Sequence, residues 1–157
     1  MINALLTAEL DPRGRGAWHG PTVKSALRGV TAAQARWRPA PGRHSIWELV
    51  LHIAYWNYAV RRHLVPDGPP FPRAPANWPA LPARPDARAW ARDRALLAAE
   101  HAALVRAIRR FPAGRWNRIP PAGKRWTFGE MIVGIAAHDC YHGGQISLLK
   151  RLWRSRR

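Results

Sequence analysis

The connection "VPDGPPFPRAPANWPALPARP", residues 65–85, constrains the fold of this chain more than any other stretch. It contains eight prolines and separates two segments with helical periodicity. Proline has no backbone N–H and a fixed φ, so such a run cannot continue a helix. Extended at about 3.1 Å per residue it reaches roughly 60 Å, whereas an 18-residue helix is only about 27 Å long. The connection can therefore cross a whole bundle, which permits the helices on either side of it to run parallel. Phe71, Trp78 and Leu81 place apolar side chains among the prolines, so parts of the connection should pack on the body, positioned as a lid.

Four helical segments are readable, and strand alternation is not evident. The first covers about 20–29, "GPTVKSALRG", preceded by a shorter turn over "INALLTAEL". The second starts at Ser45, where "SIWE" has the form of a capping box. In it the Ser hydroxyl satisfies an orphan amide and Glu48 reaches back to the cap. It should run to Leu64, before Pro66. The third spans about 86–111, between Pro85 and Pro112. The fourth opens on a second box, "TFGE" at Thr127, and continues to about Trp153. These segments predict an all-α protein: a four-helix bundle with one long crossover connection between helices two and three, as a single domain over residues 1–157.

A hydrophobic content of 47% in 157 residues is enough for a core. No apolar run reaches the roughly 18 residues of a membrane span, and the opening "MINALLTAELDPRG" is acidic with a short apolar part, unlike a signal peptide. No membrane association and a cytoplasmic location are the expectations. The single cysteine, Cys140, excludes an intramolecular disulfide and an all-cysteine metal site. The formal charge of +17 invites a nucleic-acid reading. Its arginines, however, are scattered among Ala, Pro, Gly and Trp, and outside the terminal "KRLWRSRR" no basic run exceeds two residues. Nonspecific, salt-sensitive adhesion to nucleic acid is the expected consequence.

The chemistry lies in "AAHDCYHGGQISLL". His138 and His142 are one helical turn apart, a spacing that can place two ligands on one metal but that does not establish a site by itself. Their position on the helix says more. Steps of three and four from Phe128 give Phe128, Met131, Ile135, His138, His142, Gln145, Leu149 and Leu152, so three successive polar residues interrupt an apolar seam. Burying two imidazoles and an amide is costly unless each finds partners, and a metal would satisfy the imidazoles. A third ligand is offered by His52 in "ELVLHIAYW". It lies about 16.5 Å from the far end of the second helix, and His138 lies about 16.5 Å from the start of the fourth. Antiparallel packing of these two helices would bring them level.

The segments "HSIWELVLHIAYWNYAVRRHL" and "AAHDCYHGGQISLLKRL", with weaker likeness at "AWHGPTVKSALRGVTAAQARWRPAPG", resemble the DinB-like (DinB/YfiT-like) metalloenzymes. The resemblance covers most of the chain and is weakest in the crossover. Its pattern, one histidine in the second helix and H-x-x-x-H with a following Gly and Gln in the fourth, falls on His52, His138, His142, Gly144 and Gln145. The resemblance implies a bundle with a crossover, a homodimer, and a divalent metal held by three histidines, zinc or nickel first and iron after them. It also implies chemistry on a small-molecule substrate, with a low-molecular-weight thiol as co-substrate for thiol-dependent transferases. Three neutral imidazoles leave a coordination position open for water or substrate.

Other residues have narrower readings. Asp139 points about 100° away from His138 and should meet the surface or a partner on the second helix. Cys140 reads as buried packing. Glu48 could orient His52 from one turn away, although its place in the capping box explains it equally well; Gln145 reads as a residue behind His142 or facing substrate. His101 falls in the seam of the third helix, about 12 Å deeper than His52 if those helices are parallel, and reads as structural. His19, His44 and His63 lie at or beyond helix ends. Gly143 and Gly144 would let a helix or a ligand approach closely. Three functions follow in order: a metal-dependent transferase or hydrolase, a noncatalytic metal- or ligand-binding module associated with stress, and a basic nucleic-acid binder.

Overall fold

A computed structural model describes residues 20–122 and 125–156, all helix and connections apart from one isolated bridge residue, Gly20. The helices are α1 (Val23–Ala26), α2 (Ala32–Arg36), α3 (Ile46–Leu64), α4 (Ala87–Arg110) and α5 (Phe128–Ser155), with a 3₁₀ turn at Ala113–Arg115. The three long helices begin where their caps predict. Ser45 and Thr127 accept from the amides of Glu48 and Glu130, and both glutamates return to the cap amide. Asp86 caps α4 by accepting from the Ala89 amide at 2.7 Å.

The first segment differs from its expected 20–29 span. Thr22 caps α1, which lasts only four residues because Gly29 takes φ +73°, a left-handed conformation that ends a helix at no steric cost. Thr31 then starts α2, a helix that the sequence reading did not contain. Lys150 on α5 donates to the carbonyls of Ala26 and Arg28 at 2.7 and 2.9 Å, satisfying acceptors that the short helix leaves over. The expected turn over "INALLTAEL" lies outside the described residues, as does His19.

Helices α3 and α4 run parallel. Near their starts the Trp47 indole N–H donates to Asp93 at 2.8 Å; further along, Arg61 pairs with Glu100 at 3.1 Å. Helix α5 runs antiparallel to both, so that His52 meets His138 while Val60 and Leu64 reach the cluster around Phe128 and Ile132. The crossover thus spans the bundle as its length allows, and it is packed rather than loose. Phe71, Trp78 and Leu81 rest on the core, and Arg73 pairs with the buried carboxylate of Asp93.

The buried face of α5 is rotated from the expected seam. Phe128, Ile135, His142 and Leu149 of that seam are buried, but Met131, His138 and Gln145 are half-buried and Leu152 is exposed, while Ile132, Asp139 and Ile146 beside them are buried. Gly143 does permit a close approach: a Cβ there would lie 3.3 Å from the Pro21 carbonyl oxygen, while one on Gly144 would meet nothing within 4 Å. Among the described residues, no helix is long and apolar enough to cross a membrane.

Because the Ser45 hydroxyl is fully buried and caps the helix that bears His52, Ser45→Ala should lower stability by about 1 kcal/mol. Denaturant unfolding of the two proteins would measure the difference directly.

Candidate metal centre

Three imidazoles from two helices meet in the upper half of the bundle. Helix α3 supplies His52; α5 supplies His138 and His142, one turn apart. The ring centroids lie 5.0 Å apart for His52 and His138, 4.9 Å for His52 and His142, and 4.4 Å for His138 and His142. One nitrogen from each ring can be chosen so that all three lie within 4.8 Å of one another.

The outer nitrogens fix the tautomers. His52 Nδ1 lies 2.7 Å from the Asn77 carbonyl oxygen, an atom that can only accept, so this nitrogen carries the proton. His138 Nδ1 is 3.2 Å from the Asp139 carboxylate, and the same reasoning applies. His142 Nδ1 is 2.6 Å from Gln145 Oε1, whose amide nitrogen is turned to the Tyr141 hydroxyl at 3.0 Å. Each neutral imidazole then has an unprotonated Nε2. For His52 and His138 these two atoms stand 3.1 Å apart, where their lone pairs repel. A cation between them removes the conflict. Two nitrogens on a tetrahedral ion at about 2.05 Å would be roughly 3.3 Å apart, close to the observed spacing. The donor set therefore suits a divalent metal ion with an open coordination position.

Burial favours the neutral, ligating form. Desolvation pushes the His52 pKa down to about 4, and the neighbouring His138 and His142 add to the shift against the opposing Asn77 hydrogen bond. Burial also lowers His142, despite its bond to Gln145.

Behind His138 sits an extended polar network. Asp139 is buried, and Asn57 on α3 donates to both its oxygens at 3.1 and 2.9 Å. His101 on α4 lies 3.2 Å from Asn57 Oδ1 and 3.8 Å from the Asp139 carboxylate. Burial by itself would raise the Asp139 pKa, but hydrogen bonds from His101, His138 and Asn57 outweigh it and hold the carboxyl below its ordinary value. Asp139 thus finds its partner on α3, the second of the expected helical segments, and His101 stands behind it, away from the three imidazoles.

Other expected residues lie elsewhere. Glu48 is taken up by the Ser45 cap and by Arg38 at 2.6 Å; among the described hydrogen bonds it makes none to His52. Gln145 stands behind His142. Cys140 is half-buried and outside the imidazole group. His44 stacks on Trp78 at 3.7 Å, and the other face of this geometry continues to His52, whose ring lies 3.8 Å from Trp78.

Asn57 and the Asn77 carbonyl are absent from the expectations, and the expected packing of Trp78 does not include its contact with His52. Asn57 left a signal, a lone amide in the apolar run "HIAYWNYAV", which calls for a buried partner. The Asn77 carbonyl and the Trp78 ring left little, since a backbone acceptor has no side-chain signature.

The site and fold together define a helical protein with a three-imidazole centre bridging two antiparallel helices. A model of the DinB superfamily matches residues 18–146, and the chain belongs to that superfamily. No curated protein and no solved structure matches it significantly.

Removing the Asn57 amide takes two hydrogen bonds from the buried Asp139 carboxylate. Asn57→Leu should therefore cost about 3 kcal/mol, more than an ordinary cavity-neutral change of this size. Thermal or denaturant unfolding of the metal-free protein would reveal it.

Proposed function

We propose that the chain is a metal-dependent enzyme acting on a small molecule, with His52, His138 and His142 as ligands to a divalent ion. Three neutral imidazoles do not by themselves choose among zinc, nickel and iron; the family resemblance puts zinc or nickel first and iron next. The observation that supports this most is the shared tautomer. Three outer nitrogens face oxygen acceptors, the unprotonated nitrogens of His52 and His138 stand 3.1 Å apart, and one nitrogen from each of the three rings can be chosen within 4.8 Å of the others. Such an ion supplies Lewis acidity and can favour the thiolate form of a bound thiol.

The protein's own groups would then have distinct tasks. Asn77, Asp139 and Gln145 orient the three rings, as outer partners of metal-bound histidine commonly do. Trp56, with its ring 6.3 Å from His138, and Tyr141, 5.0 Å from His142, flank the site with partly exposed aromatic surface. This environment suits a substrate with an apolar portion. Transfer involving a low-molecular-weight thiol, or hydrolysis, is the reaction class in keeping with the family.

A noncatalytic metal-binding module is the second reading. It is favoured by the engagement of Asp139, the carboxylate nearest the imidazoles, with Asn57 and His101, which leaves it poorly placed as a general base.

Elemental analysis of untagged protein should find stoichiometric metal, lost in both His52→Ala and His138→Ala. Equal metal content in all three proteins would end the metal reading. Turnover of thiol and electrophile pairs that disappears on chelation would select the enzyme, and metal without turnover across the panel would select the module.

We also propose a homodimer formed through α5, in a cytoplasmic protein. Between Met131 and Lys150 the exposed positions of this helix are Val133, Gly134, Ala137, Tyr141, Gly144 and Leu148, none of them charged. In a chain of net charge +17, an uncharged stripe is where two copies can meet with least repulsion. Light scattering should give the mass of two protomers. Leu148→Arg would place like charges in that contact and should yield the mass of one.

A further inference from the structure

The crossover does more at the metal centre than cover it. Its residue Asn77 has φ +69°, the one positive φ among described residues other than glycine. In this left-handed conformation its carbonyl oxygen lies 2.7 Å from His52 Nδ1, while its side-chain oxygen accepts from the Trp56 indole at 2.8 Å. The next residue, Trp78, lies nearly parallel to the His52 ring, 3.8 Å away with 12° between the planes. Trp78 also stacks with His44, 3.7 Å away and 4° from parallel. The crossover is itself anchored on both sides of this pair: before it Phe71 packs against Tyr55 and Tyr58 and Arg73 pairs with Asp93, and after it Leu81 rests on the core.

We propose that Asn77 and Trp78 form a positioning strap, in which the left-handed backbone of Asn77 selects the Nδ1–H tautomer of His52 and Trp78 fixes its ring plane. The proposal rests on the metal reading for its purpose, but the tautomer it requires exists without metal. Without an acceptor at Nδ1, either ring nitrogen of a neutral imidazole can carry the proton. The Asn77 carbonyl removes that freedom and leaves Nε2 as the ligating atom. Asparagine suits this position for two reasons. It tolerates the left-handed region far better than β-branched residues, and its amide ties the strap to Trp56 on the same helix as His52. A metal on Nε2 and a carbonyl at Nδ1 then reinforce each other, because each favours the tautomer that the other needs.

The strap assigns a role to the crossover that its proline content alone does not suggest. Proline-rich flanks restrict the conformations from which residues 77 and 78 must be ordered, so less freedom is lost in seating them on the ring. His52 is consequently held from outside the helix that carries it, and helices α3 and α5 need not supply an acceptor for its outer nitrogen.

Two substitutions at Asn77 separate backbone from side chain. Glycine keeps access to positive φ and loses the Trp56 bond; valine is β-branched and resists that conformation. In metal-free protein, nitrogen-15 correlation spectra of the His52 ring should show Nδ1–H in the parent and in Asn77→Gly. They should show a mixture or Nε2–H in Asn77→Val. An unchanged Nδ1–H signal in Asn77→Val, with the fold intact by circular dichroism, would overturn the strap whether or not the protein binds metal. Chelator competition for Zn²⁺ provides the second measurement: Asn77→Val should bind about 10- to 100-fold more weakly, and Asn77→Gly should stay close to the parent. If the parent takes up no zinc while the tautomer pattern holds, the strap stands and the metal reading fails. If the parent binds zinc and Asn77→Val matches it, the strap fails and the metal reading stands.

Discussion

The parallel packing of α3 and α4 is the constraint on which the rest of the structure depends. Two sequential helices joined by a short turn lie antiparallel; here Trp47 meets Asp93 near both starts and Arg61 meets Glu100 further along. Parallel packing makes a crossover necessary, and that crossover must pass over the flank of the bundle. In doing so it brings Asn77 and Trp78 onto His52. It also leaves α5 to return antiparallel to α3, which sets His138 and His142 opposite His52. A shorter connection would remove the strap and reverse the direction of α4, carrying His101 away from Asp139.

The polar interior is organised around this arrangement. Asp93 and Asp139 are the buried carboxylates among the described residues, 1% and 5% exposed, in a chain with a large excess of arginine. Their environments differ. Asp93 receives an indole N–H and an arginine from the crossover, so it fastens the strap to α4. Asp139 is surrounded by an amide and two imidazoles, with no arginine or lysine within its described ion pairs. A buried carboxylate held by an amide and two imidazoles directs its charge toward His138. One aspartate thus serves the architecture and the other the imidazole group, although neither is distinguishable from the other by residue type or by composition.

Much of the site was legible in the sequence because histidine spacing and helix caps are local properties. The boxes at Ser45 and Thr127 set the register of α3 and α5, and counting rises of 1.5 Å from them was enough to bring His52 level with His138. The register around the helix axis was less legible. Half of the expected seam, Phe128, Ile135, His142 and Leu149, is buried, but Met131, His138, Gln145 and Leu152 lie to one side of the buried line and Ile132, Asp139 and Ile146 take their place, because a straight helix drifts from a repeat of alternating threes and fours. That displacement is why Asp139 turned inward to Asn57 while His138, on the flank of the buried face, points across to His52. The first segment was least legible: Gly29 could have continued a helix with some loss or ended it, and its φ of +73° accompanies a next turn in which the Val30 carbonyl accepts from the Trp90 indole and Thr31 caps α2.

What the sequence by itself determined was the three long helices and their ends, the length of the crossover, and the three histidines at compatible heights. Each follows from capping chemistry, proline sterics or helical rise, which act within a few residues. Only the tertiary structure decided which imidazole nitrogen faces inward: the acceptor for His52 is a backbone carbonyl 25 residues away, and although Asp139 and Gln145 neighbour their histidines in the chain, the Asp139 carboxylate is held by a helix residue 82 positions earlier. Tautomer and ring plane are set by what surrounds a histidine, and no pattern of neighbouring letters encodes those surroundings.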